Sequence, residues 1–152
     1  MIELKAGKEK NLLKHHPWVF SGALEEVSLP TEAGIQKVVS SEGRFVAWGW
    51  YDKDSHIVLR LLSWDEDQYP NNQWFEKTIR ESILRRASFF ADKTSGTNVF
   101  RIIHGEADML PGVACDVYGK IVRLVISARI AWALRQVFVN TIDSLLHPQM
   151  II

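Results

Sequence analysis

The stretch Phe100–Gly119, which reads FRIIHGEADMLPGVACDVYG, carries the clearest structural pattern in the chain. It opens with an apolar, partly β-branched run that is typical of a buried strand. A glycine and a Pro-Gly pair then enclose a short acidic loop. From Val113 the residues alternate, and a Gly-Lys turn leads into a second apolar run, Ile121–Ile126. The pattern predicts strands around an acidic loop, and by itself it does not say what site such a loop supports.

The same stretch resembles the region just ahead of the catalytic domain in S-adenosylmethionine-dependent RNA methyltransferases of the ribosomal large-subunit 5-methylcytosine type. In that family a loop of the form HGE-[AS]-D-G-LPGL-x-VD-x-YG joins two strands. The chain departs from this form at Met109, where the family usually has glycine. It agrees at His104, Gly105, Glu106, Asp108, Leu110, Pro111, Gly112, Asp116, Tyr118 and Gly119. The resemblance implies a structural role for the loop residues His104, Glu106, Asp108, Pro111, Gly112 and Asp116.

Residues 1–67 are predicted to form a small β-rich domain. The segment Lys8–Lys14 is typical of a short helix that must end before His16, because Pro17 disfavours the α conformation in its predecessor. Turn signals separate the runs with strand character, which are Ile2–Leu4, Gln36–Ser40, Arg44–Tyr51 and Ile57–Leu62. Several short strands with one small helix indicate a compact, partly open barrel.

Two segments of this first domain form a second family pattern. Residues 16–23 read HPWVFSGA, and residues 49–60 read GWYDKDSHIVLR. Together they resemble the PUA domain that opens the same methyltransferases, although His15 stands where the family often has glycine and Trp50 where it has tyrosine. PUA domains bind structured RNA, so the resemblance implies structured RNA, and in this family ribosomal RNA, as the partner. The candidate RNA-binding residues are Lys8, Lys10, Lys14, His15, Tyr51 and Arg60.

The residues themselves add a physical argument for RNA contact. Lys10 and Lys14 share a helical face, so their ammonium groups can meet phosphates together. Trp18 and Phe20 offer surfaces on which unpaired bases can stack. Large aromatic side chains are nevertheless more often buried, and the sequence favours a core position for both.

Residues 68–152 are predicted to form a small α/β domain, which in the resembling family connects the PUA domain to the methyltransferase domain. Apolar residues at helical spacing predict helices over residues 72–90 and 129–146, with a break at Lys93–Asn98. The apolar segment Pro148–Ile152 is interpreted as the opening strand of a further domain. The predicted fold class is therefore α+β, with a PUA-like small β-barrel followed by helix, strands and helix.

The alternation His104-x-Glu106-x-Asp108 contains metal-ligand residue types. Gly105 and Pro111 indicate a loop, however, and not the strand that would place all three side chains on one face. The sequence therefore predicts no metal site. It assigns Asp108 to capping backbone amides and Glu106 to an ion pair with a nearby arginine.

Cys115 invites comparison with the thiolate nucleophile of 5-methylcytosine transferases. It lies in a strand pattern on the apolar face of Val113 and Val117, so a buried, unreactive position is predicted. As the only cysteine, it excludes an intrachain disulfide and fits a reducing cytoplasm.

The sequence contains no G-x-G turn of the kind that brings backbone close to a nucleotide cofactor in doubly wound sheets. S-adenosylmethionine is the cofactor of the intact family. This chain is expected not to bind it tightly, to hold no catalytic residue and to be inactive alone.

The overall charge limits the kinds of partner. The 18 basic and 18 acidic residues balance to zero, so RNA binding requires a local basic patch. No apolar run approaches the roughly 20 residues that span a bilayer, and the N-terminus lacks a signal-peptide core. A cytoplasmic protein without a membrane partner is expected.

These observations predict the RNA-docking N-terminal part of an rRNA-methyltransferase-like protein whose catalytic domain is absent. Two alternatives stay open. One is a free-standing PUA-type RNA-binding or ribosome-assembly module. The other is a protein-interaction domain in which the apolar C-terminus drives formation of a homodimer.

Overall fold

The computed structural model describes residues 1–91 and 96–152. The chain forms two compact units, Met1–Pro70 (unit 1) and Asn71–Ile152 (unit 2). The sequence prediction placed the division after Asp67. Residues 93–95 of the predicted break between helix and strand lie outside the described residues.

Unit 1 is built on a five-stranded mixed sheet. Its strands follow the spatial order β1-β3-β4-β5-β2, so the two shortest strands lie at the two edges. The short helix α1 covers Glu9–Leu12. The strands are β1 (Ile2–Glu3), β2 (Trp18–Val19), β3 (Gly34–Val39), β4 (Phe45–Tyr51) and β5 (Leu59–Ser63). The strands predicted from alternation are confirmed, with ends that shift by one or two residues.

Alternation along β5 shows how the sequence selects the buried side of this sheet. Leu59 and Leu61 belong to the core, whereas Arg60 between them is half-buried. Strand β2 follows the same rule, because Val19 is buried and Trp18 is exposed. Trp18 lies directly opposite Arg60 in the antiparallel β2–β5 pair, so both side chains leave the sheet on the same side.

Helix α1 is shorter than the predicted Lys8–Lys14. The backbone of His15 has a φ of 67°, a left-handed conformation that ends the helical turn. This is the position at which the resembling family often has glycine, the residue that adopts positive φ without steric cost. The indole Nε1 of Trp64 donates a hydrogen bond of 2.7 Å to the carbonyl oxygen of Leu12, which fixes the end of α1 to the chain after β5.

Unit 2 contains a four-stranded sheet in the order β6-β7-β8-β9. The first three strands are antiparallel neighbours, as expected for a β-meander, and β9 runs parallel to β8. The strands are β6 (Val99–His104), β7 (Val113–Tyr118), β8 (Ile121–Ile126) and β9 (Met150–Ile151). The helices are α2 (Asn72–Leu84), α3 (Ala87–Ala91), α4 (Arg129–Ala133) and α5 (Arg135–Leu146).

Both long helices predicted for this unit are interrupted in the structure. Helix α2 begins after Asn71, whose side chain accepts a hydrogen bond of 2.9 Å from the Trp74 N–H and so caps the first turn. It ends at Leu84, and the chain resumes helical structure only in α3. Helices α2 and α5 pack through the edge-to-face rings of Phe75 and Phe138, whose centroids lie 6.1 Å apart.

Strand β6 contains a bulge at Ile102. Arg101 pairs with Asp116 and Ile103 pairs with Cys115, so one additional residue is accommodated on β6. As a result, the side chains of two consecutive residues, Ile102 and Ile103, are both fully buried. The carbonyl oxygen of Ile102 accepts a hydrogen bond of 2.5 Å from the Ser82 hydroxyl, which joins the bulge to helix α2.

The last residues of the chain form a strand, as the sequence interpretation expected. Met150 and Ile151 pair in parallel with Ile121 and Val122 of β8 and extend the sheet of unit 2. None of the helices in the described part of the chain combines the length and the apolar character that crossing a membrane requires.

Candidate functional site

The predicted RNA-contacting lysines lie in one short segment of unit 1. Lys8 precedes helix α1, Lys10 lies within it and Lys14 follows it, and all three are exposed. The imidazole of His15 stacks on the indole of Trp64, with ring centroids 4.7 Å apart and planes 25° apart. This segment is therefore an exposed basic surface that is anchored to unit 1 at its C-terminal end.

The structure places the other two candidate RNA-binding residues differently. Arg60 is half-buried, and its Nη1 donates to the Ser55 hydroxyl at 3.1 Å and to the Ile57 carbonyl at 2.9 Å. Tyr51 is only 2% exposed, and burial, followed by the nearby charges of Asp52 and Asp54, raises the pKa of its phenol. Tyr51 is a core residue in this structure and does not present its side chain to a ligand.

Trp18 and Phe20 lie on the surface, which corrects the sequence preference for a core position. Trp18 is 39% exposed and Phe20 is 46% exposed. The reason is that β2 is a two-residue edge strand in which Val19 takes the inward position, so its neighbours on either side face outward. Sequence reasoning could not assign the faces of so short a strand, because two residues do not define an alternation.

Each of these aromatic rings contacts one histidine ring. The ring of Trp18 meets that of His16 at a centroid distance of 6.2 Å and an interplanar angle of 89°. The ring of Phe20 meets that of His56 at 5.7 Å and 67°. We refer to His16, Trp18, Phe20 and His56 as the aromatic patch. Three of these residues, His16, Trp18 and Phe20, directly follow residues 8–15, which we call the basic segment, so residues 8–20 carry cationic and aromatic side chains in one continuous stretch.

In unit 2 the acidic loop of the Phe100–Gly119 stretch is organised around Asp108. This carboxylate is 2% exposed and accepts hydrogen bonds from both terminal nitrogens of Arg86, at 2.9 and 2.7 Å. It also accepts from Arg85 at 2.8 Å and from the backbone N–H of His104 at 2.6 Å. Burial raises the pKa of Asp108, but the hydrogen bonds from Arg86, Arg85 and His104 outweigh it, so the pKa lies below its ordinary value.

These contacts come from the two residues that follow helix α2. Arg86 also donates to the carbonyl oxygen of Ser82 at 2.9 Å and to the Ser82 hydroxyl at 3.1 Å. The side chains of Arg85 and Arg86 thus connect the end of α2 to the loop, in place of a continued helix. The expectation that Asp108 holds a backbone amide agrees with the His104 contact.

A second ion pair crosses the sheet next to this loop. The guanidinium of Arg101 donates to both carboxylate oxygens of Asp116, from Nε at 2.7 Å and from Nη2 at 3.0 Å. These residues are direct partners in the β6–β7 pair. The hydrogen bond from Arg101 lowers the pKa of Asp116, against the opposing effect of burial.

The backbone of the loop requires two left-handed residues near its end. Met109 has a φ of 58°, at the position where the resembling family usually has glycine. The loop therefore keeps its left-handed turn with a side chain that is poorly suited to it. Gly112 has a φ of 76°, and a Cβ added there would lie 2.6 Å from the Cβ of Ala128. Gly112 is needed for close packing.

The ligand-type and nucleophilic side chains of this region are engaged or buried within unit 2. In residues 1–91 and 96–152, no three His, Cys, Asp or Glu side chains are grouped as a metal site would require. The carboxylate of Asp108, which the His104-x-Glu106-x-Asp108 alternation offers as a ligand, is already engaged by two arginines. Cys115 is fully buried, and burial, with the charge of Asp116, raises the pKa of its thiol to about 12. The predicted core position of Cys115 is confirmed.

The sheet of unit 2 differs in strand direction from a doubly wound sheet. The β6-β7-β8 neighbours are antiparallel, whereas in a doubly wound sheet a nucleotide cofactor lies at the carboxyl ends of parallel strands. Gly112, the glycine most closely packed in the loop, faces Ala128 and does not line an open cradle.

Comparisons of the sequence with known proteins give a family match for unit 1 and relatives that match most of the chain. Residues 2–64 match the family model of a PUA-like domain. A ribosomal RNA large subunit methyltransferase I from Klebsiella pneumoniae is 32% identical over 120 residues, which are 78% of this chain and 30% of that protein. The protein of the same name from Escherichia coli is 30% identical over 149 residues, which are 97% of this chain and 37% of that protein. The chain thus spans about a third of the length of these curated relatives.

Solved structures resemble the fold across both units. A candidate SAM-dependent methyltransferase from Streptococcus mutans superimposes with a TM-score of 0.80 at 22% identity, over 97% of this chain and 39% of that chain. A second candidate methyltransferase, solved with SAH, gives a TM-score of 0.78 at 20% identity over 97% of this chain and 38% of that chain. Residues 2–64 are a PUA-like domain, and the chain is homologous over much of its length to ribosomal RNA large subunit methyltransferase I.

Proposed function

We propose that this chain is the RNA-docking N-terminal portion of a methyltransferase that acts on ribosomal RNA. Unit 1 supplies the RNA contact, and its PUA-like character, together with an exposed basic segment, is the observation that carries the proposal. The relatives named for the modification of large-subunit ribosomal RNA supply the class of RNA. Cytosine-5 is the position of modification that the family resemblance favours.

The role proposed for this portion is positional. Lys8, Lys10 and Lys14 are exposed cations within seven consecutive positions, and they neutralise phosphates of a folded RNA segment. Because the chain has no net charge, this attraction is local and orients the RNA on one side of unit 1. His15, held against Trp64, fixes the segment that carries the lysines.

The described residues are assigned no step of methyl transfer in this proposal. The buried Cys115 is unsuited to act as a nucleophile, since its thiol is held protonated at neutral pH. S-adenosylmethionine is assigned to other parts of such a methyltransferase. Calorimetric titration of this chain with S-adenosylmethionine tests that assignment, and a dissociation constant in the micromolar range would contradict it.

A salt titration of RNA binding tests the docking role. The chain is titrated into a fluorescently labelled fragment of large-subunit ribosomal RNA at several salt concentrations. We expect the variant with Lys8→Gln, Lys10→Gln and Lys14→Gln to bind more weakly. The slope of its logarithmic binding constant against the logarithm of the salt concentration should be shallower by roughly 2 to 3, about 0.9 for each phosphate that is no longer neutralised. A matched variant replaces three other exposed lysines, Lys53, Lys77 and Lys120, and should keep the parental slope.

The two variants separate a docking surface from general charge attraction. Equal loss of affinity in both variants would contradict a specific surface on unit 1. Binding of the parental chain that does not depend on salt, or no binding to any structured RNA, would overturn the proposed function.

A specific observation also favours self-association as a second candidate function. One row across the sheet of unit 2 joins four exposed apolar side chains, because the register aligns Val99 with Tyr118, Tyr118 with Ile121, and Ile121 with Met150. A contiguous apolar row on an open face is typical of a surface that packs against another molecule. Sedimentation velocity at high concentration tests this candidate, and a monomer at all concentrations would eliminate it.

A further inference from the structure

We propose that the aromatic patch of unit 1 is a stacking platform for unpaired bases. The preferred ligand is then an RNA helix flanked by unpaired nucleotides, in which the helix meets the basic segment and a free base meets Trp18 or Phe20. This inference rests on the proposed RNA-docking function and specifies the kind of RNA that the same surface accepts.

The exposure of the patch is the first observation that supports it. Trp18 and Phe20 flank a buried valine on an edge strand, and both keep more than a third of their surface in water. Exposing large aromatic surface has a cost that burial of the same side chain in the core would remove. Exposed tryptophan and phenylalanine next to cationic residues are the arrangement that single-stranded nucleic acids bind.

The geometry of the rings is the second observation. Both histidine contacts are close to edge-to-face, at 89° for His16 with Trp18 and 67° for Phe20 with His56. A contact of this kind orients a ring and covers at most one of its two faces. The contacts orient the rings, and the 39% of Trp18 and 46% of Phe20 that stay exposed are surface on which a flat base can lie.

The charges around the patch are the third observation. Lys14 and His15 immediately precede it in the chain, and Arg60 is the cross-strand partner of Trp18. A nucleotide offers a flat base and a phosphate, so an aromatic surface beside cations matches both of its parts. An apolar peptide would not use these cations, which is why RNA is the occupant proposed here.

Stacking on side chains requires bases that are not already stacked inside a helix. In double-stranded RNA the bases are covered by their neighbours, and proteins contact mainly the phosphates and the 2′-hydroxyls. The basic segment suits such a helix and the aromatic patch does not. An unpaired tail, bulge or loop next to a helix therefore engages both surfaces at once.

Two RNA ligands that differ only in unpaired nucleotides test the inference. One is a blunt 12-base-pair duplex, and the other is the same duplex with a single-stranded tail of four adenosines. Fluorescence anisotropy at one fixed salt concentration gives the affinity of the full chain for each. We expect the tail to increase the affinity of the parental chain about tenfold, the order of magnitude expected for one stacked base.

Substitutions then assign this increase to the patch. The Trp18→Ala, Phe20→Ala variant is expected to bind the tailed duplex no more tightly than the blunt duplex. The Trp18→Tyr variant should retain most of the gain in affinity that the tail provides. The control is Trp132→Ala, which removes an exposed tryptophan of unit 2 and should leave the gain unchanged. Circular dichroism of each variant verifies that it is folded, and a tail whose bases are replaced by abasic sites should give no gain.

The outcomes separate this inference from the function on which it rests. Salt-dependent binding of the blunt duplex with no gain from the tail would overturn the stacking platform and leave RNA docking intact. A tail gain that survives in the double alanine variant would also overturn it. Failure of both RNAs to bind would overturn the docking function and the platform together.

Discussion

Arg86 holds Asp108 by two parallel hydrogen bonds, of 2.9 and 2.7 Å, in a part of unit 2 where the carboxylate is almost completely removed from water. A buried charge that loses its partner is strongly destabilising. The pair therefore ties the end of helix α2 to the loop between β6 and β7. Arg85 contacts the same carboxylate through one hydrogen bond, but its side chain is 51% exposed, compared with 19% for Arg86.

The two arginines should contribute unequally to stability. We expect Arg86→Gln to lower the free energy of unfolding by about 3 kcal/mol, because Asp108 loses its two-point partner in a buried position. Arg85→Gln should cost less than about 1 kcal/mol, as is usual for an exposed ion pair. Urea unfolding of the full chain measures both. If the two substitutions lowered the free energy of unfolding equally, burial of the arginine would not determine how much each contact stabilises the fold.

Unit 2 should become less stable in acid, because two of its carboxyl groups have lowered pKa values in the folded protein. The pKa of Asp108 and that of Asp116 are both lowered in the folded protein, so each group stabilises the fold above its unfolded pKa of about 4. That contribution is lost as the pH falls from about 4 through the lower, folded pKa. We expect the urea midpoint to drop over this range, and Asp116→Asn to flatten the drop. Asp143→Asn, at an exposed position of α5, is the control and should keep the parental slope.

Glycine should be a better residue than methionine at position 109. Met109 has a φ of 58° and an exposed side chain, so a glycine there removes a left-handed strain of roughly 1–2 kcal/mol and loses little packing. The greater freedom of glycine in the unfolded chain offsets part of this gain. We expect Met109→Gly to stabilise the chain by about 0.5–1 kcal/mol in urea unfolding. Ala107→Gly, two residues earlier, should destabilise it, and a stabilising effect of both would contradict the explanation.

Gly112 should tolerate a side chain less well than Gly105 in the same loop. Both have positive φ, but a Cβ at Gly112 would lie 2.6 Å from that of Ala128, whereas at Gly105 the nearest atom is the Val113 carbonyl oxygen at 3.8 Å. We expect Gly112→Ala to cost roughly 3 kcal/mol, from left-handed strain and overpacking together. Gly105→Ala should cost only the strain, about 1 kcal/mol. Thermal unfolding compares the two variants, and the same loss in both would contradict the packing argument.

Cys115 should be unreactive in the folded chain. Burial raises the pKa of its thiol to about 12, so the thiolate is scarce at neutral pH and the sulfur is not exposed to reagents. Ellman's reagent should therefore modify less than about 5% of the thiol in native conditions within minutes. Complete modification is expected in urea. Rapid modification of the native chain would show that β7 opens on that timescale.

The strands could be predicted from sequence because alternation is a local signal. In the first part of β5, Leu59 and Leu61 are buried and Arg60 between them is half-buried, as their alternation predicts. The end of α2 could not be predicted, for the opposite reason. Just beyond this end, Arg86 contacts Asp108, 22 residues further along the chain, and a contact between distant segments does not appear as a periodic pattern in either of them.

The candidate RNA surface was only partly predictable. The lysines of the basic segment could be identified by charge alone, since lysine is nearly always exposed. Tyr51 and Trp18 have similar chemistry, yet the structure buries the first in a long central strand and exposes the second on a two-residue edge strand. Which aromatic residue faces water is decided by the position of its strand in the sheet, and this position is a tertiary property.

The bulge at Ile102 gives β6 one residue that the pairing with β7 does not use. With this residue present, Arg101 and His104 pair with Asp116 and Ala114, and the two isoleucines between them both enter the core. Removing Ile102 would leave Arg101 and Ile103 opposite Asp116 and Cys115, so regular alternation would be restored and the faces of the following residues would not change. The loss would be one fully buried isoleucine and the carbonyl oxygen that accepts the hydrogen bond of Ser82 on helix α2. A chain without this residue should therefore keep its sheet and hold helix α2 less firmly, which makes the bulge a fastening for the helix and not a defect of the strand.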